Sequence, residues 1–395
     1  MKVLFVHDHI FYVSEDAVFS PGRFAASVWS RFLDTDLVDE VRVVSRGQRL
    51  TGNTSGLVQS SVPMVTFDPL YQVKGGADYF RYSSEIKAKL RKHVQEVDVV
   101  VIRVPSFIGL AAYSVCRELD KPHIAEVVGC AWDSMWSYGN SAGRLLAPIM
   151  LSKTRNVVKQ SVGCLYVTRD FLQKKYPFSG DITENASNVH ISKASPEILA
   201  TRLDELKLKS NSSVFKVGML SNVGVKYKGF DVALKALRQL KDRRPEVNFN
   251  LLLAGGGSPD YVRGLIQNLG LDNEVQLVGQ LASGEEVLSF LDGLDLFLQP
   301  SRQEGLPRSM IEAMSRGCPV LASSAGGIPE LVDSEFLHAP GDAKKLCSDL
   351  ERVLDDSDLR AEMAQKNFEK AEAYTDDALS KRRVDFYTNV FRSIK

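Results

Sequence analysis

The stretch from Leu294 to Met314 reads LDLFLQPSRQEGLPRSMIEAM. It opens on an apolar run with the length of a buried strand, and its second half places apolar residues at helical spacing. Pro307 suits the first turn of a helix, where its missing N–H costs no hydrogen bond. The stretch therefore predicts a strand, a tight turn around Glu304 and Gly305, and a helix whose free amides lie near that turn.

The same alternation of short apolar runs and amphipathic stretches fills the rest of the chain. Strands that are apolar on both faces and alternate with helices are typical of a parallel sheet covered by helices on both sides. Such strands are predicted at residues 3–6, 41–44, 97–102, 124–128 and 163–167, and again at 214–220, 249–254, 275–278, 294–298 and 319–322. We therefore predict an α/β protein with two Rossmann-like domains whose parallel sheets face each other across a cleft.

The domain boundaries follow from breaks in this pattern. We place the first domain at residues 1–190 and the second at 212–375. Residues 191–211 are polar and contain no run of strand length, which predicts an interdomain linker. Residues 376–395 carry apolar residues at helical spacing, and no strand follows them. We expect this last helix to pack back on the first domain and to complete it.

Composition excludes several classes of protein. Lys and Arg total 49, as do Asp and Glu, so the net charge is zero and no nucleic-acid partner is expected. The five cysteines include no CxxC pair, which fits reduced thiols in the cytosol. No run approaches the about 18 apolar residues of a membrane span, and the N-terminal run is too short for a signal peptide. We expect a cytoplasmic protein, either soluble or attached to the inner face of a membrane.

Two acids of the quoted stretch are candidates for chemistry. Glu304 lies in the predicted turn at the carboxyl end of a strand, where ligands of such sheets bind. Glu312 falls about one turn inside the predicted helix, on the same face as Arg308. Amides at a helix N-terminus can hold a phosphate or a sugar hydroxyl. The alternative is structural: Glu312 pairs with Arg308, and Glu304 is a solvated acid of a loop.

These motifs resemble those of the family-4 glycosyltransferases, retaining enzymes of the GT-B fold. Two glutamates separated by seven residues, with Glu-Gly at the first, are similar to the family signature. The resemblance is continuous from residue 214 to about 375, whereas the first half resembles the family only in strand order and in short pieces. The matching pieces are Ala254–Gly257, Gly279–Leu281 with Glu285 and Glu286, Gly317–Ala322, Gly326–Glu330, Glu126–Gly129 and Trp132-Asp133.

The resemblance implies a role for each matching residue. Glu304 would act as a catalytic residue that contacts the donor sugar, and Glu312 would accept hydrogen bonds from the ribose. Lys228 would neutralise the diphosphate without a metal. Further donor-binding positions are implied for the turn and for the loops near the base, at Gly305, Leu306, Pro307, Arg308, Ser309, Gly255 and Gly279.

Other positions depart from the family pattern. Members carry Gly-Arg after the first strand of the second domain, where this chain has Gly218-Met219, so Lys226 or Arg308 is expected to share the diphosphate with Lys228. A methionine offers no positive charge to a phosphate.

In the first domain, many members place a histidine beside the donor sugar after a strand. Here residues 123–128 run into Gly129–Asp133 without one, and Asp133 is our second catalytic candidate. Trp132 is an alternative, and a loop acid beside a core indole is the structural reading. Gly22 is expected to let the chain approach a phosphate.

Other signals are weaker. Asp34-Thr35-Asp36 has the spacing of a metal-binding pair of acids but fits a polar turn. His7-Asp8-His9 could supply metal ligands, but no further partner clusters with it. We therefore expect no metal and no cofactor. Residues 144–155 and 85–92 are rich in basic residues and would suit either an anionic lipid surface or solvated helix faces.

The sequence thus predicts a retaining glycosyltransferase of hexosyl or N-acetylhexosaminyl type, acting in bacterial polysaccharide or glycolipid assembly. The donor would be a UDP- or GDP-linked sugar, and the acceptor a saccharide or a lipid-linked saccharide. Two alternatives remain: an epimerase or phosphorylase on the same architecture, and a subunit that binds nucleotide sugars without turnover.

Overall fold

A computed structural model of the chain describes residues 1–22, 24–54, 56–136, 141–209, 214–282 and 284–395. The chain divides into two compact units, residues 1–186 with 380–395, and residues 187–379. Residues 210–213, where the predicted linker ends and the second domain begins, lie outside the described residues, as does Arg23 beside Gly22.

The first unit is built on a sheet whose central strands are parallel. Among the described residues the parallel strands follow the order β5-β3-β1-β6-β7-β8-β9, and β2 and β4 add an antiparallel ribbon at the far end of β1. All six residues of β6 are buried, as expected for a strand covered on both faces. The strands are β1 (Lys2–Val13), β2 (Val18–Ser20), β3 (Glu40–Arg49), β4 (Val58–Gln59), β5 (Val65–Phe67), β6 (Val99–Val104), β7 (His123–Val127), β8 (Gly163–Tyr166) and β9 (Thr183–Asn185).

The helices of this unit connect the parallel strands. One connection is fixed by Asp8 of β1, whose carboxylate accepts hydrogen bonds from the amides of Phe107 (2.7 Å) and Ile108 (3.0 Å) at the start of α4. This carboxylate satisfies amides that a helix N-terminus leaves open. The helices are α1 (Ser30–Leu33), α2 (Gly76–Arg81), α3 (Ser83–Glu96), α4 (Phe107–Glu118), α5 (Ala131–Trp136), α6 (Ser141–Lys159) and α7 (Phe171–Lys175).

The second unit has a parallel sheet with the order β12-β11-β10-β13-β14-β15. The prediction of an α/β protein with two parallel-sheet domains is confirmed. The strands are β10 (Phe215–Leu220), β11 (Phe249–Ala254), β12 (Val275–Gly279), β13 (Leu296–Gln299), β14 (Val320–Ser323) and β15 (Leu337–His338). The helices are α8 (Pro196–Leu208), α9 (Phe230–Arg243), α10 (Asp260–Leu269), α11 (Glu285–Asp292), α12 (Arg308–Ser315), α13 (Ala343–Asp355) and α14 (Ser357–Ala371).

Helix α8 occupies most of the segment that we expected to be a linker. Its Arg202 and Leu206 are buried within the second unit. The Arg202 guanidinium donates to the carbonyls of Leu294 (2.5 Å) and Leu291 (3.0 Å). The polarity of the segment suggested a solvated linker, but buried carbonyl acceptors allow an arginine to lie inside the unit.

The last helix, α15 (Asp376–Ile394), returns the chain to the first unit, as predicted. It buries Tyr387, Val390 and Phe391 completely. The Tyr387 ring lies 4.6 Å from that of Phe32. A side chain at Gly163 of β8 would come within 2.5 Å of Val390, so this glycine allows the helix to lie close to the sheet.

A buried ionic cluster lies beneath α15. Glu126 of β7 accepts hydrogen bonds from Arg31 (3.0 Å), Arg103 (2.8 Å) and the Tyr387 hydroxyl (2.5 Å). Burial alone would raise the pKa of Glu126, but the charges of Arg31 and Arg103 lower it to about 2. Arg383 is also buried beside this cluster, and burial followed by repulsion from Arg31 lowers its pKa to about 9. One carboxylate thus balances several buried guanidinium groups.

Candidate active site

Glu304 lies in the loop between β13 and α12, where the sequence places it, and it is nearly buried. One of its carboxylate oxygens, Oε1, is held by three donors: Lys228 Nζ at 2.6 Å, Ser301 Oγ at 2.8 Å and Gln299 Nε2 at 2.9 Å. The Glu304 side chain is 9% exposed. Its other oxygen, Oε2, has no hydrogen-bond partner among the described residues. The carboxylate is therefore oriented through one oxygen, and the second is available to a ligand.

The lysine that contacts Glu304 is positioned by a short turn. Residues Lys226–Lys228 form one turn of 3-10 helix, followed by Gly229 in the left-handed region at φ 78°. A Cβ at Gly229 would lie 2.0 Å from the Pro300 carbonyl oxygen, so only glycine allows the two loops to approach this closely. The geometry thus brings together two predicted site residues, Lys228 and Glu304, that are 76 positions apart in the chain.

An ion pair locks the same two loops. Arg302 donates two hydrogen bonds to the Asp231 carboxylate at the start of α9, at 2.7 and 2.8 Å, and its amide donates to the Tyr227 carbonyl at 2.7 Å. Burial pushes the pKa of Asp231 upward, but the hydrogen bonds from Arg302 outweigh burial and lower it. Such bidentate pairs add geometric definition to a loop.

A third loop, which follows β14, contacts the backbone of the turn that contains Glu304. Gly327 donates its amide to the carbonyl of Gly305 at 2.8 Å. Gly326 has φ 61°, and a Cβ there would lie 2.0 Å from the carbonyl oxygen of Glu304. The loop that carries Glu304 and Gly305 therefore contacts two neighbouring loops, one through Arg302 and one through Gly305.

Helix α12 begins at Arg308, and Pro307, which was predicted to lie in its first turn, precedes it with extended backbone. The first amides of a helix have no partner within it, so those of α12 open toward the loop that carries Glu304. The Ser309 hydroxyl lies 3.5 Å from Gln299 Oε1. The N-terminus of an eight-residue helix therefore adjoins the oriented carboxylate.

Glu312 is half-buried on α12. Burial raises the pKa of its carboxyl above 4.5, an effect that the charge of Arg308 only partly offsets. Arg308 itself is exposed. Within the described residues the Glu312 carboxylate makes no hydrogen bond or ion pair, so the structural alternative of a pair with Arg308 is not formed. An unpaired and poorly solvated carboxylate is suited to accept hydroxyl hydrogen bonds.

Gly255 and Gly279 meet at the carboxyl ends of β11 and β12. The Gly255 amide donates to the Gly279 carbonyl at 2.7 Å. A Cβ at Gly255 would lie 1.8 Å from the Ser221 carbonyl oxygen, whereas no atom lies within 4 Å of a Cβ at Gly279. Gly255 therefore allows two loops to pack, and Gly279 borders open space.

Met219, which stands where the family has arginine, is buried in β10 at 2% exposure. Lys226, one candidate substitute, places its ammonium 4.9 Å above the Tyr261 ring. The other, Arg308, is exposed at the start of α12.

The remaining predicted residues belong to the first unit. Asp133 lies on α5 rather than in a loop, and its carboxylate is 3.3 Å from Lys175 Nζ. The Trp132 ring stacks on that of Trp136 at 5.3 Å. Gly22 has φ 73°, with no atom within 4 Å of a Cβ built there.

Two residues of the site were missed at the sequence level. Gln299 and Ser301 both donate to Glu304, and the Gln299 amide also donates to the Ser301 hydroxyl at 2.8 Å. A usable signal was present, because a buried glutamine that ends an apolar strand needs hydrogen-bond partners nearby.

No group of three or more His, Cys, Asp or Glu side chains in the described part of the chain is arranged to hold a metal ion. In the same residues, none of the helices has the length and hydropathy needed to cross a membrane. The nitrogen His9 Nε2 instead lies 2.8 Å from the Ser20 hydroxyl.

The chain is similar in sequence and in fold to known proteins. Residues 202–370 match the sequence model of the family described as Glycosyl transferases group 1. The chain is 30% identical over 374 residues to Protein CapJ of Staphylococcus aureus, which covers 95% of this chain and 92% of CapJ. It is 35% identical over 135 residues to the amylovoran biosynthesis glycosyltransferase AmsK of Erwinia amylovora, which covers 32% of this chain and 33% of AmsK.

A solved structure, that of Anabaena HepE in complex with UDP-glucose, superposes on this chain with a TM-score of 0.63 at 18% identity. The match covers 100% of this chain and 99% of HepE. At this level of identity the likeness concerns the fold, and the predicted GT-B fold is confirmed. From the matching family model and the full-length relative, we conclude that the chain belongs to the Glycosyl transferases group 1 family.

Proposed function

We propose that this glycosyltransferase moves a sugar from a nucleoside-diphosphate donor to an acceptor hydroxyl with retention of configuration, as in family 4. One observation carries the proposal: Glu304 is fixed through Oε1 by three donors, and Oε2 is left for a ligand. A carboxylate held in this way can stabilise positive charge at the anomeric carbon without reorganising during the reaction.

The neighbouring groups suit the diphosphate and the ribose of such a donor. Lys228 and the first amides of α12 provide positive charge next to Glu304, so we propose that the leaving diphosphate is stabilised there without a metal or a cofactor. Glu312, unpaired and half-buried, is proposed to accept the ribose hydroxyls. Open space at Gly279 is proposed for the base. The donor is proposed to be UDP- or GDP-linked, and HepE, which shares this fold, has been solved with UDP-glucose.

In the proposed reaction the acceptor oxygen attacks the anomeric carbon on the face that the diphosphate leaves. One carbon–oxygen bond forms as the other breaks, and the acceptor proton passes to an oxygen of the departing phosphate. Both reactants must be held in place for this to be efficient. Asp133 and Gly22 are proposed as the first-domain residues of this reaction, with the Asp133 carboxylate oriented by Lys175.

For the acceptor we propose a saccharide or a lipid-linked saccharide of bacterial polysaccharide or glycolipid assembly. The protein would bind this acceptor in the cytoplasm or at the inner face of the membrane. The similarity to the amylovoran biosynthesis glycosyltransferase AmsK supports this setting.

Nucleotide-dependent stabilisation tests the donor site. UDP or GDP at 100 times its dissociation constant should add about 2.7 kcal/mol to the unit that binds it, which raises the unfolding midpoint by several degrees. ADP, CMP and NAD serve as comparisons. No response to any nucleoside diphosphate, or a response to NAD alone, would count against the proposal. Binding without transfer to any acceptor would favour the inactive subunit, and donor turnover without an acceptor would favour the epimerase or phosphorylase.

Glu312 should make nucleotide binding depend on pH. Burial raises its pKa above 4.5, and the ionised form is the better acceptor for ribose hydroxyls. We therefore expect affinity for the nucleotide to fall as pH is lowered through this raised pKa. Glu312→Gln should bind more weakly near pH 7 and lose this part of the pH dependence, as measured by calorimetric titration. An unchanged pH profile in the variant would contradict the assignment.

Gly326→Ala should weaken both the fold and the reaction. The added Cβ would meet the Glu304 carbonyl at 2.0 Å, and the left-handed backbone disfavours alanine, which together cost about 1–3 kcal/mol. The matched control is Gly270→Ala, with a similar φ of 60° and no atom within 4 Å. Thermal unfolding should detect both changes, whereas only Gly326→Ala should slow sugar transfer. Equal transfer rates would refute the supporting role of this loop.

A further inference from the structure

Three arginines are buried in the first unit around a single carboxylate. Arg31, Arg103 and Arg383 are 6%, 7% and 7% exposed, and Glu126 is 2% exposed. Arg31 donates to one oxygen of Glu126 and Arg103 to the other. One carboxylate offsets the charge of one guanidinium group, so Arg31 and Arg103 alone already leave an excess of positive charge, and Arg383 adds to it. Burying such an excess is costly unless another negative charge lies nearby.

The other titratable groups beside these arginines do not provide that charge. Tyr387 donates its hydroxyl to Glu126, and burial raises the pKa of this hydroxyl well above 10, so the tyrosine stays neutral. Burial, followed by the charge of Arg103, lowers the pKa of His7, so the imidazole is neutral near pH 7. Burial also lowers the pKa of Arg103, which Glu126 offsets only in part. In the described part of the chain, the excess positive charge therefore remains uncompensated.

Arg103 also has a hydrogen-bond donor that the described residues do not use. Its Nε is buried and has no hydrogen-bond partner among them. The guanidinium lies 5.2 Å from the centroid of the Phe24 ring, and the His7 ring lies 6.0 Å from the same ring. Buried N–H groups of proteins nearly always have a partner, and those of charged groups bind most strongly to anions. An open donor beside uncompensated positive charge therefore suits an anionic ligand.

We propose that Arg31, Arg103 and Arg383 together bind a small monovalent anion such as chloride, which accepts a hydrogen bond from Arg103 Nε. The anion would supply the two things that this cluster lacks, a negative charge and an acceptor. A dianion such as phosphate is a poorer ligand, because the cost of removing an ion from water rises with the square of its charge. A water molecule would accept the same hydrogen bond but would bring no charge.

The anion would strengthen the attachment of α15 to the first unit. Arg383 and Tyr387 both belong to this helix, and both lie beside Glu126. Burial and then repulsion from Arg31 oppose the charged form of Arg383, and a bound anion would reduce this repulsion. We therefore expect loss of the anion to loosen α15 first. The inference concerns the stability of the first unit and does not depend on the donor or on sugar transfer.

Thermal unfolding in chloride and in gluconate tests the proposal with the whole protein. The two sodium salts are compared at one ionic strength, so that general screening is the same. Chloride at about ten times its dissociation constant should raise the unfolding midpoint of the first unit by about 3–5 °C, and the effect should saturate. Chloride should also slow hydrogen exchange in α15. Equal midpoints in the two salts would overturn the proposal in favour of a bound water molecule.

Variants locate the anion. Arg103→Met removes the open donor and should abolish the chloride dependence. Glu126→Gln increases the excess of positive charge, so the effect should reach half-saturation at about tenfold lower chloride, and this variant tests the site even where Arg103→Met does not fold. The matched control, Arg91→Met, removes an arginine of α3 that is 44% exposed and should keep the chloride dependence of the parent. Chloride dependence that survives Arg103→Met, or that Glu126→Gln does not strengthen, would overturn the proposal. Either failure leaves the proposed sugar transfer untouched.

Discussion

Lys228→Ala should lower the turnover number of sugar transfer by about 10²–10³-fold. The ammonium lies 2.6 Å from Glu304 Oε1 and beside the N-terminus of α12, so it can stabilise the departing diphosphate and orient the carboxylate at once. A steady-state assay with donor and acceptor measures the loss. The matched control is Lys226→Ala, two residues earlier, whose ammonium lies over Tyr261. We expect that variant to change turnover much less, and equal losses would contradict the special role of Lys228.

A double variant distinguishes the two roles of this lysine. If Lys228 serves only to neutralise Glu304, then Lys228→Ala should no longer weaken nucleotide binding once Glu304 is replaced by glutamine. Nucleotide affinity should then recover in the double variant. If Lys228 also contacts the diphosphate, nucleotide affinity should stay low whichever residue is at position 304. The coupling energy between the two changes measures the first role directly.

Glu126→Gln should destabilise the first unit by about 3–5 kcal/mol, because it leaves Arg31 and Arg103 buried without a counter-charge. The unfolding midpoint of that unit should fall by about 10 °C. Tyr387→Phe removes one donor to the same carboxylate and should cost about 1–3 kcal/mol. Glu118→Gln, which breaks an exposed pair with Arg91, should cost at most about 1 kcal/mol.

The same carboxylate should contribute to acid sensitivity. Its pKa is lowered from 4.5 to about 2 in the folded protein, so its stabilising effect is complete above pH 4.5 and is lost as pH falls toward 2. Over that range the free energy of unfolding should fall by about 3 kcal/mol in the parent protein. Glu126→Gln should lack this fall, and the two proteins should converge near pH 2. If the free energy of unfolding fell equally with pH in both proteins, Glu126 would not be the cause of this acid sensitivity.

The sequence predicted the strands most accurately where both faces of a strand are buried. Residues 97–102 predicted β6 to within two positions, because a strand covered on both faces has no polar alternation to confuse the pattern. The first strand was predicted at residues 3–6, yet β1 continues to Val13. Its second half is only partly buried and contains His7, Asp8 and His9, so hydropathy alone could not reveal that it pairs with β3.

The site was predictable in part for a different reason. Glu304 and Glu312 occur within one strand–turn–helix unit, whose local spacing shows that they share a loop and a helix. Placing Lys228 beside Glu304 needed the family resemblance, since a contact over 76 positions has no local signature. Ser301 was missed because serine is common in ordinary turns. Gln299 was missed although a glutamine at the end of an apolar strand needs hydrogen-bond partners nearby.

Two features had no signal that sequence reasoning could use. Glu126 meets its partners Arg31, Arg103 and Tyr387 from three separate parts of the chain, so none of these contacts has a local signature. Helix α8 was not predicted to be part of the second unit. Its buried Arg202 donates to carbonyls about 90 positions away in the chain, and such contacts leave no local pattern. Buried charge can be assigned only when its partners are known.

Helix α15 also has a consequence for how the protein is made. The ribosome releases β7 with Glu126 early, but Tyr387 and Phe391, which cover this face, are among the later residues to emerge. The first unit therefore finishes folding only after the second has been synthesised, and until then the face of its sheet around Glu126 stays uncovered. Chaperones would be expected to act on that waiting state, and a premature stop codon before α15 would damage the unit that was translated first.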